Sequence, residues 1–382
     1  MKFLHTSDWH LGRLFHNVSL LDDQTHILQQ IITYATKYAV DAVLIAGDIF
    51  DRAVPPSSAV ALLDETLHTL TQTLNIPVIL ISGNHDSAER LSFGARLLAN
   101  QNLHILHALK HCDDAVVIHN KNQQSAAIYG IPYHTPEHIR ADFDEPVKTF
   151  DQAHSFLVNR IDSQKKYDYA ILMSHCFVTG ADECESERPL AIGGADRVSF
   201  TPMLPFDYVA LGHLHGQQKR GAEHIRYSGS PLKYSFSEVP HKKSVTLVEL
   251  QKNTAPIISQ LPLIPQHEVR CLVGELQQLL DAGLNDKNAD DYIAVTLTDK
   301  HAILDAMGKL RAVYPNVLQL EKTFLQNHNA SSQKRANLQH GELAMFDDFF
   351  TEITGEPLSA SQKTAMEKLL NDLAKTAAED NT

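Results

Sequence analysis

Ala42-Val43-Leu44-Ile45-Ala46-Gly47-Asp48 is the stretch on which the fold turns. Five apolar residues in a row read as a strand covered on both faces, as in a parallel sheet. Gly47 lets the chain turn at once, and Asp48 ends the turn with a cation-binding group. Working outward, four further runs end the same way: Phe3-Leu4-His5-Thr6-Ser7-Asp8-Trp9-His10, Val78-Ile79-Leu80-Ile81-Ser82-Gly83-Asn84-His85-Asp86, Tyr169-Ala170-Ile171-Leu172-Met173-Ser174-His175 and Tyr208-Val209-Ala210-Leu211-Gly212-His213-Leu214-His215. Between the first three, Asp23 to Ala39 carries Ile27, Leu28, Ile31, Ile32 and Ala35 at helical spacing, and Pro56 to Leu74 behaves similarly. Strand, helix, strand, helix, strand predicts a mixed or parallel sheet with crossovers, whose ligands gather beyond the carboxyl ends of the strands.

Shorter strands are expected at Asp114–His119, Ser125–Tyr129, Ser244–Glu249 and Ile257–Leu261, forming a second sheet packed on the first. From Pro265 the pattern changes to a small α+β unit, with strands at Glu268–Val273, Tyr292–Leu297 and Val317–Leu320 and helices near Leu276–Ala282 and Ala302–Val313. The expected organisation is a catalytic domain over residues 1–264, the α+β unit over 265–325, a polar linker over 326–340 and a helical segment over 341–382, broken at Gly355-Glu356-Pro357.

Composition is that of a globular chain: 382 residues, 43% hydrophobic and 21% charged. Four scattered cysteines without Cys-x-x-Cys spacing argue against a disulfide framework or a structural zinc site. The opening residues reach polar side chains too early for a signal peptide, and no apolar run spans a bilayer, so a cytoplasmic protein without membrane contact is expected. The net charge is −13, of which residues 341–382 supply −6 and the rest −7. Backbone phosphates demand local positive charge, so a nucleic-acid role with this balance calls for metal ions or a partner protein.

The strand ends carry the chemistry. Asp8 and His10, like His213 and His215, are two residues apart, so an extended strand end would point both side chains one way. With Asp48, Asn84 and His175 they supply oxygen and imidazole donors and no thiolate, a mixture that suits manganese, iron or zinc better than calcium or magnesium. Seven donors are too many for one ion and fit two divalent ions sharing Asp48. Asp8, His10, Asp48 and His215 are assigned to one ion, and Asp48, Asn84, His175 and His213 to the other. Such a pair balances growing charge on a phosphate and lowers the pKa of a water toward neutrality. His85 is expected to serve as general acid, Asp51 to orient its imidazole, and Arg52 to contact a phosphate oxygen. Any one Asp-x-His or His-x-His pair arises readily by chance, and Gly-Asn-His-Asp alone is a common turn. The set weighs more because every member closes an expected buried strand. His5, His16, His26, His104, His107 and His119 lie outside these clusters and read as core or surface, and Cys176 as a small core residue.

The order Asp-x-His, Gly-Asp-x-x-Asp-Arg, Gly-Asn-His-Asp, Ser-His, Gly-His-x-His over residues 1–240 resembles the calcineurin-like metallophosphoesterases. That resemblance implies a metallophosphoesterase β-sandwich flanked by helices and the donor roles above. Across nearly the whole chain the sequence is also similar to the SbcD family of bacterial nuclease subunits. The similarity lies in His5-Thr6-Ser7-Asp8-Trp9-His10-Leu11-Gly12, Glu185-Ser186-Glu187-Arg188-Pro189-Leu190 with Gly193-Gly194, and Tyr227-Ser228-Gly229-Ser230-Pro231-Leu232. It implies a DNA-capping role for 265–325, partner-binding helices in the tail, a homodimer, and an SbcC-type ABC ATPase as partner. It also implies manganese as the metal, with 3′–5′ exonuclease action on double-stranded ends and endonuclease action on single strands and hairpins. The chain has no Walker A loop, so ATP use falls to the partner. Arg52 departs from the histidine common in archaeal and eukaryotic relatives. In the tail, Phe346, Phe349, Phe350 and Ile353 form an apolar stripe that either packs on the chain itself or, as the resemblance implies, docks on the ATPase. A stand-alone phosphoesterase for a cyclic nucleotide or phosphomonoester is the competing reading, since it would use the same donors.

Overall fold

The computed structural model describes residues 1–161, 167–187, 196–299 and 303–322 and, beyond 342, positions 343, 346–347, 350–351, 354 and 356–379. Arg188, Pro189, Leu190, Gly193, Gly194, the linker expected at 326–340, Phe349 and Ile353 lie outside the described residues. Two compact units divide the chain, Met1–Val269 and Arg270–Thr382.

The first unit is built on two six-stranded sheets. In one, Lys2–Thr6, Ala42–Ala46, Val78–Ile81 and Leu103–Leu106 run parallel in that order. The helices Leu21–Lys37 and Ser57–His68 supply the first two crossovers. In the other, Ser125–Ile131, Tyr169–His175, Tyr208–Gly212 and Ala222–Tyr227 run parallel, edged by the antiparallel strands Val116–His119 and Gln218–Arg220. Two expectations need correction. Ser244–Glu249 and Ile257–Pro262 do not join the second sheet; they extend the first, antiparallel to Lys2–Thr6 and to each other. The donor-bearing strands are likewise split, three in the first sheet and two in the second. Apolar alternation marks a strand but does not choose its neighbour. Leu103–Leu106 is additional to the expected strands.

The sheets pack face to face. Phe3, Leu44, Ile79 and Ile81 from one share a fully buried core with Ile128, Ile171, Met173, Tyr208 and Ala210 from the other. Val43, Ile45 and Leu80 alternate to the opposite face and are equally buried, so the crossover helices must cover that face. Helices Pro136–Phe143 and Phe150–Arg160 cover the outer face of the second sheet, through Ile139, Ala153, Leu157 and Val158. The result is a β-sandwich flanked by helices.

The second unit has its own three-stranded sheet, in the order Val269–Gly274, Tyr292–Leu297, Val317–Lys322. Helices Leu276–Gly283 and Ala306–Arg311 bring Leu279 and Leu310 into a core with Ile293, Val295, Leu297 and Val317. A further helix, Ala360–Glu379, follows Pro357.

Candidate metal centre

Where the parallel strands of both sheets end, their loops meet. Asp8 N donates to Gly47 O and His10 N to Asp48 O, each at 3.0 Å, so the first two loops run side by side. The strand before them stops at Thr6, and neither Asp8 nor His10 is extended: their φ angles are 55° and 45°. Asp48, at 50°, and His213, at 108°, are also left-handed. Tight turns, rather than the alternation of an extended strand, aim these side chains, which corrects the expected reason for their spacing. Backbones of this kind cost energy and persist where the surroundings fix them. Gln24, from the first helix, helps fix this one: its amide donates to the carbonyls of His10 at 2.8 Å and Trp9 at 3.2 Å and accepts from Gly12 N at 3.0 Å. Asp86 accepts from the amides of Ile49, Phe50 and Gly83, tying the second loop to the third.

Gly47 and Gly83 are among the glycines that close approach requires. A Cβ on Gly47, whose φ is 93°, would strike the His175 ring, and one on Gly83 would strike Asp48. Of these two, only Gly47 needs a left-handed backbone; Gly83 is needed for space.

The seven expected donors converge. His10 Nε2 faces His215 Nε2 at 3.1 Å. Asp48 Oδ2 lies 3.6 Å from both His10 Nε2 and His175 Nε2, which places it between two groups of donors. Asp8 joins His10 and His215 on one side. On the other, Asn84 Oδ1 is 2.9 Å from His175 Nε2 and 3.1 Å from His213 Nδ1. Asp8 Oδ1 accepts from His213 N at 2.9 Å and Asp48 Oδ1 from His85 N at 2.9 Å.

This set fits divalent cations. His175 donates from Nδ1 to Ala46 O at 2.9 Å, so its Nε2 lone pair faces the Asn84 oxygen. His10 Nδ1 and Asn84 Nδ2 are buried with no hydrogen-bond partner. Burial first, then the nearby Asp48 charge, raises the Asp8 carboxyl well above the usual carboxylate range. Burial also holds His10, His175 and His213 below the ordinary imidazole value. Facing lone pairs and like charges packed out of water are what a cation relieves.

The remaining expected residues fall differently. His85 Nδ1 donates to the backbone carbonyl of Asp51, not to its carboxylate, at 2.8 Å. The Asp51 carboxylate is taken by Arg13, whose Nη1 lies 3.0 Å from Oδ1 and whose guanidinium sits 5.1 Å from the centroid of the Tyr234 ring. Arg52 is exposed. Among the described residues, a guanidinium held beside the site is that of Arg13, three residues beyond His10 and not singled out by the sequence. Glu238 was also missed; it is fully buried, Lys243 Nζ pairs with it, and it borders His215.

The chain is similar to known proteins over most of its length. The family model described as calcineurin-like phosphoesterase matches residues 1–217, and that described as type 5 capsule protein repressor C-terminal domain matches 265–354. A curated relative in Staphylococcus epidermidis, named for the SbcD half of the nuclease SbcCD, is 33% identical over 97% of this chain and 98% of its own. One of the same name in Staphylococcus saprophyticus is 33% identical over 98% of each chain. Among solved structures, TT1561 of Thermus thermophilus matches 68% of this chain and 98% of its own at 14% identity and a TM-score of 0.40, too slight a likeness to argue from.

Proposed function

The chain belongs to the calcineurin-like phosphoesterases and, among them, to the SbcD components of SbcCD nucleases, and from that premise we propose a metal-dependent DNA nuclease working with an SbcC-type ATPase. It is a phosphodiesterase of the 3′–5′ exonuclease kind on duplex ends, and an endonuclease on single strands and hairpins. The observation that carries this reading is the convergence of donors from both sheets around Asp48, with the His85 imidazole next to them.

Asp8, His10, Asp48 and His215 would hold one divalent ion, and Asp48, Asn84, His175 and His213 the other; manganese suits this mixture of imidazole and carboxylate. When bound, the ions would offset the aspartate charges, draw charge from a phosphate and make a water a better nucleophile near neutral pH. His85 is held through Nδ1, which leaves Nε2 to deliver a proton to the departing oxygen. Arg13, braced by Asp51 and Tyr234, keeps a fixed positive charge beside the anionic substrate. Burial of the strand tips excludes bulk water, which strengthens each of these contacts.

The partner supplies ATP use, and the segment 341–382 is the proposed docking element. Among the described residues no helix is long and apolar enough to cross a membrane; the proposed location is the cytoplasm, and the proposed assembly contains two copies of this chain.

The test is hydrolysis of a labelled duplex with blocked 5′ ends, in manganese, with and without the ATPase and ATP. Release of mononucleotides is expected. Hydrolysis confined to small phosphate esters would overturn the reading in favour of a stand-alone phosphoesterase.

A further inference from the structure

His215 is a candidate donor that borders a buried ion pair. Its Nδ1 lies 2.8 Å from Ser186 Oγ and 3.3 Å from Glu238 Oε1. Ser186 donates its own hydroxyl to the same Glu238 oxygen, so the serine oxygen is free to accept from the imidazole. Glu238 is reached twice, directly and through Ser186. With Nδ1–H committed there, the Nε2 lone pair points at His10 across 3.1 Å.

Lys243 fixes the carboxylate from behind. Its ammonium pairs with Glu238 Oε2 and also donates to the His215 carbonyl at 2.9 Å and to Ser230 Oγ at 2.8 Å. Tyr234 N donates to Glu238 Oε1 at 3.1 Å, and Glu187 accepts from His215 N at 2.6 Å. The ring, the amide and the carbonyl of one residue are therefore all held. Burying a charge pair is expensive, and an apolar pair of similar size often stabilises a fold as well or better. A carboxylate behind an imidazole, by contrast, fixes its tautomer and makes it a stronger donor toward a metal.

We infer that Glu238, anchored by Lys243, is a positioning residue that aims His215 Nε2 into the candidate metal centre. The inference rests on the proposed reading of His215 as a metal-holding residue.

Manganese binding to the full-length, metal-stripped chain, followed by titration calorimetry, tests it without any assay of cleavage. The variants are His215→Ala and the double variant Glu238→Gln with Lys243→Met, which removes both charges so that neither is stranded. His215→Ala is expected to lose tight binding of one ion. The double variant is expected to keep both ions with the affinity of one lowered about 10- to 100-fold. Nitrogen-15 spectra of labelled histidine, with His215 assigned from its alanine variant, should show the parent as the Nδ1–H tautomer and the double variant as a mixture. A merely structural pair would lower the melting temperature and leave affinity and tautomer at parental values, which would overturn the inference while His215→Ala still loses its ion. Parental binding in His215→Ala would sink the reading of His215, and this inference with it.

Discussion

His85 Nδ1 donates to the Asp51 carbonyl across 2.8 Å, joining a side chain after the third strand of the first sheet to the backbone after the second. Because a main-chain oxygen does the holding, the imidazole keeps one orientation whatever side chain residue 51 carries.

The first prediction follows. His85→Ala should retain manganese affinity and lose cleavage by about 10²–10⁴-fold, the usual contribution of a positioned acid. Asp51→Asn should leave the His85 orientation intact while loosening Arg13. Kinetics with calorimetry separates these outcomes; full cleavage by His85→Ala would remove its assigned role.

Gly83→Ala tests the crowding under Asp48. The added methyl would overlap both the Asp48 side chain and its amide, so Asp48 must move and lose the bond from His85 N. Overpacking of this kind costs about 1–3 kcal/mol. We expect a lower melting temperature together with weakened binding of both ions, since Asp48 lies between the two donor groups. A variant that melts earlier but binds manganese normally would show that Asp48 tolerates the shift.

Much of this was legible in the sequence because buried strands announce themselves. Ala42–Ala46 is fully buried along its length, and its abrupt end at Gly47-Asp48 marks a loop at the carboxyl edge. What periodicity cannot report is partnership across the chain: Ser244–Glu249 pairs with Lys2–Thr6 from more than two hundred residues away. Backbone acts of recognition are equally silent, so the Asp51 carbonyl was overlooked in favour of its carboxylate. Glu238 sits in a three-residue turn in a polar stretch, and only its spatial neighbours Lys243 and His215 show its use. Arg13 lay close to His10 in sequence; its proximity was the available signal.

The tail carries a prediction about assembly. Phe346 and Phe350 are on one face, with ring centroids 6.3 Å apart. Deleting 341–382 should abolish co-purification with the SbcC-type ATPase and leave the melting temperature of the first unit unchanged. Undiminished co-purification would reassign the stripe to packing within the chain.

The last prediction concerns acid. His134 is buried, donates through Nδ1 to the Pro132 carbonyl at 3.0 Å, and is pushed down by that burial to about 4 from an ordinary 6.5. Above pH 6.5 the folded and unfolded chains are both neutral here, and the residue has no effect on stability with pH. Below it, the unfolded chain takes up a proton that the folded chain refuses, so stability is lost until the pH passes about 4. Each such histidine contributes a slope of about 1.4 kcal/mol per pH unit. His5, pushed to about 3 by burial, extends the loss to lower pH. His134→Asn keeps a donor for Pro132 and removes the titration. Urea unfolding of the metal-stripped chain between pH 4 and 6.5 should therefore show a slope shallower by one proton in the variant. Equal slopes would mean that the folded protein protonates His134 in place, with the Pro132 bond surviving the charge.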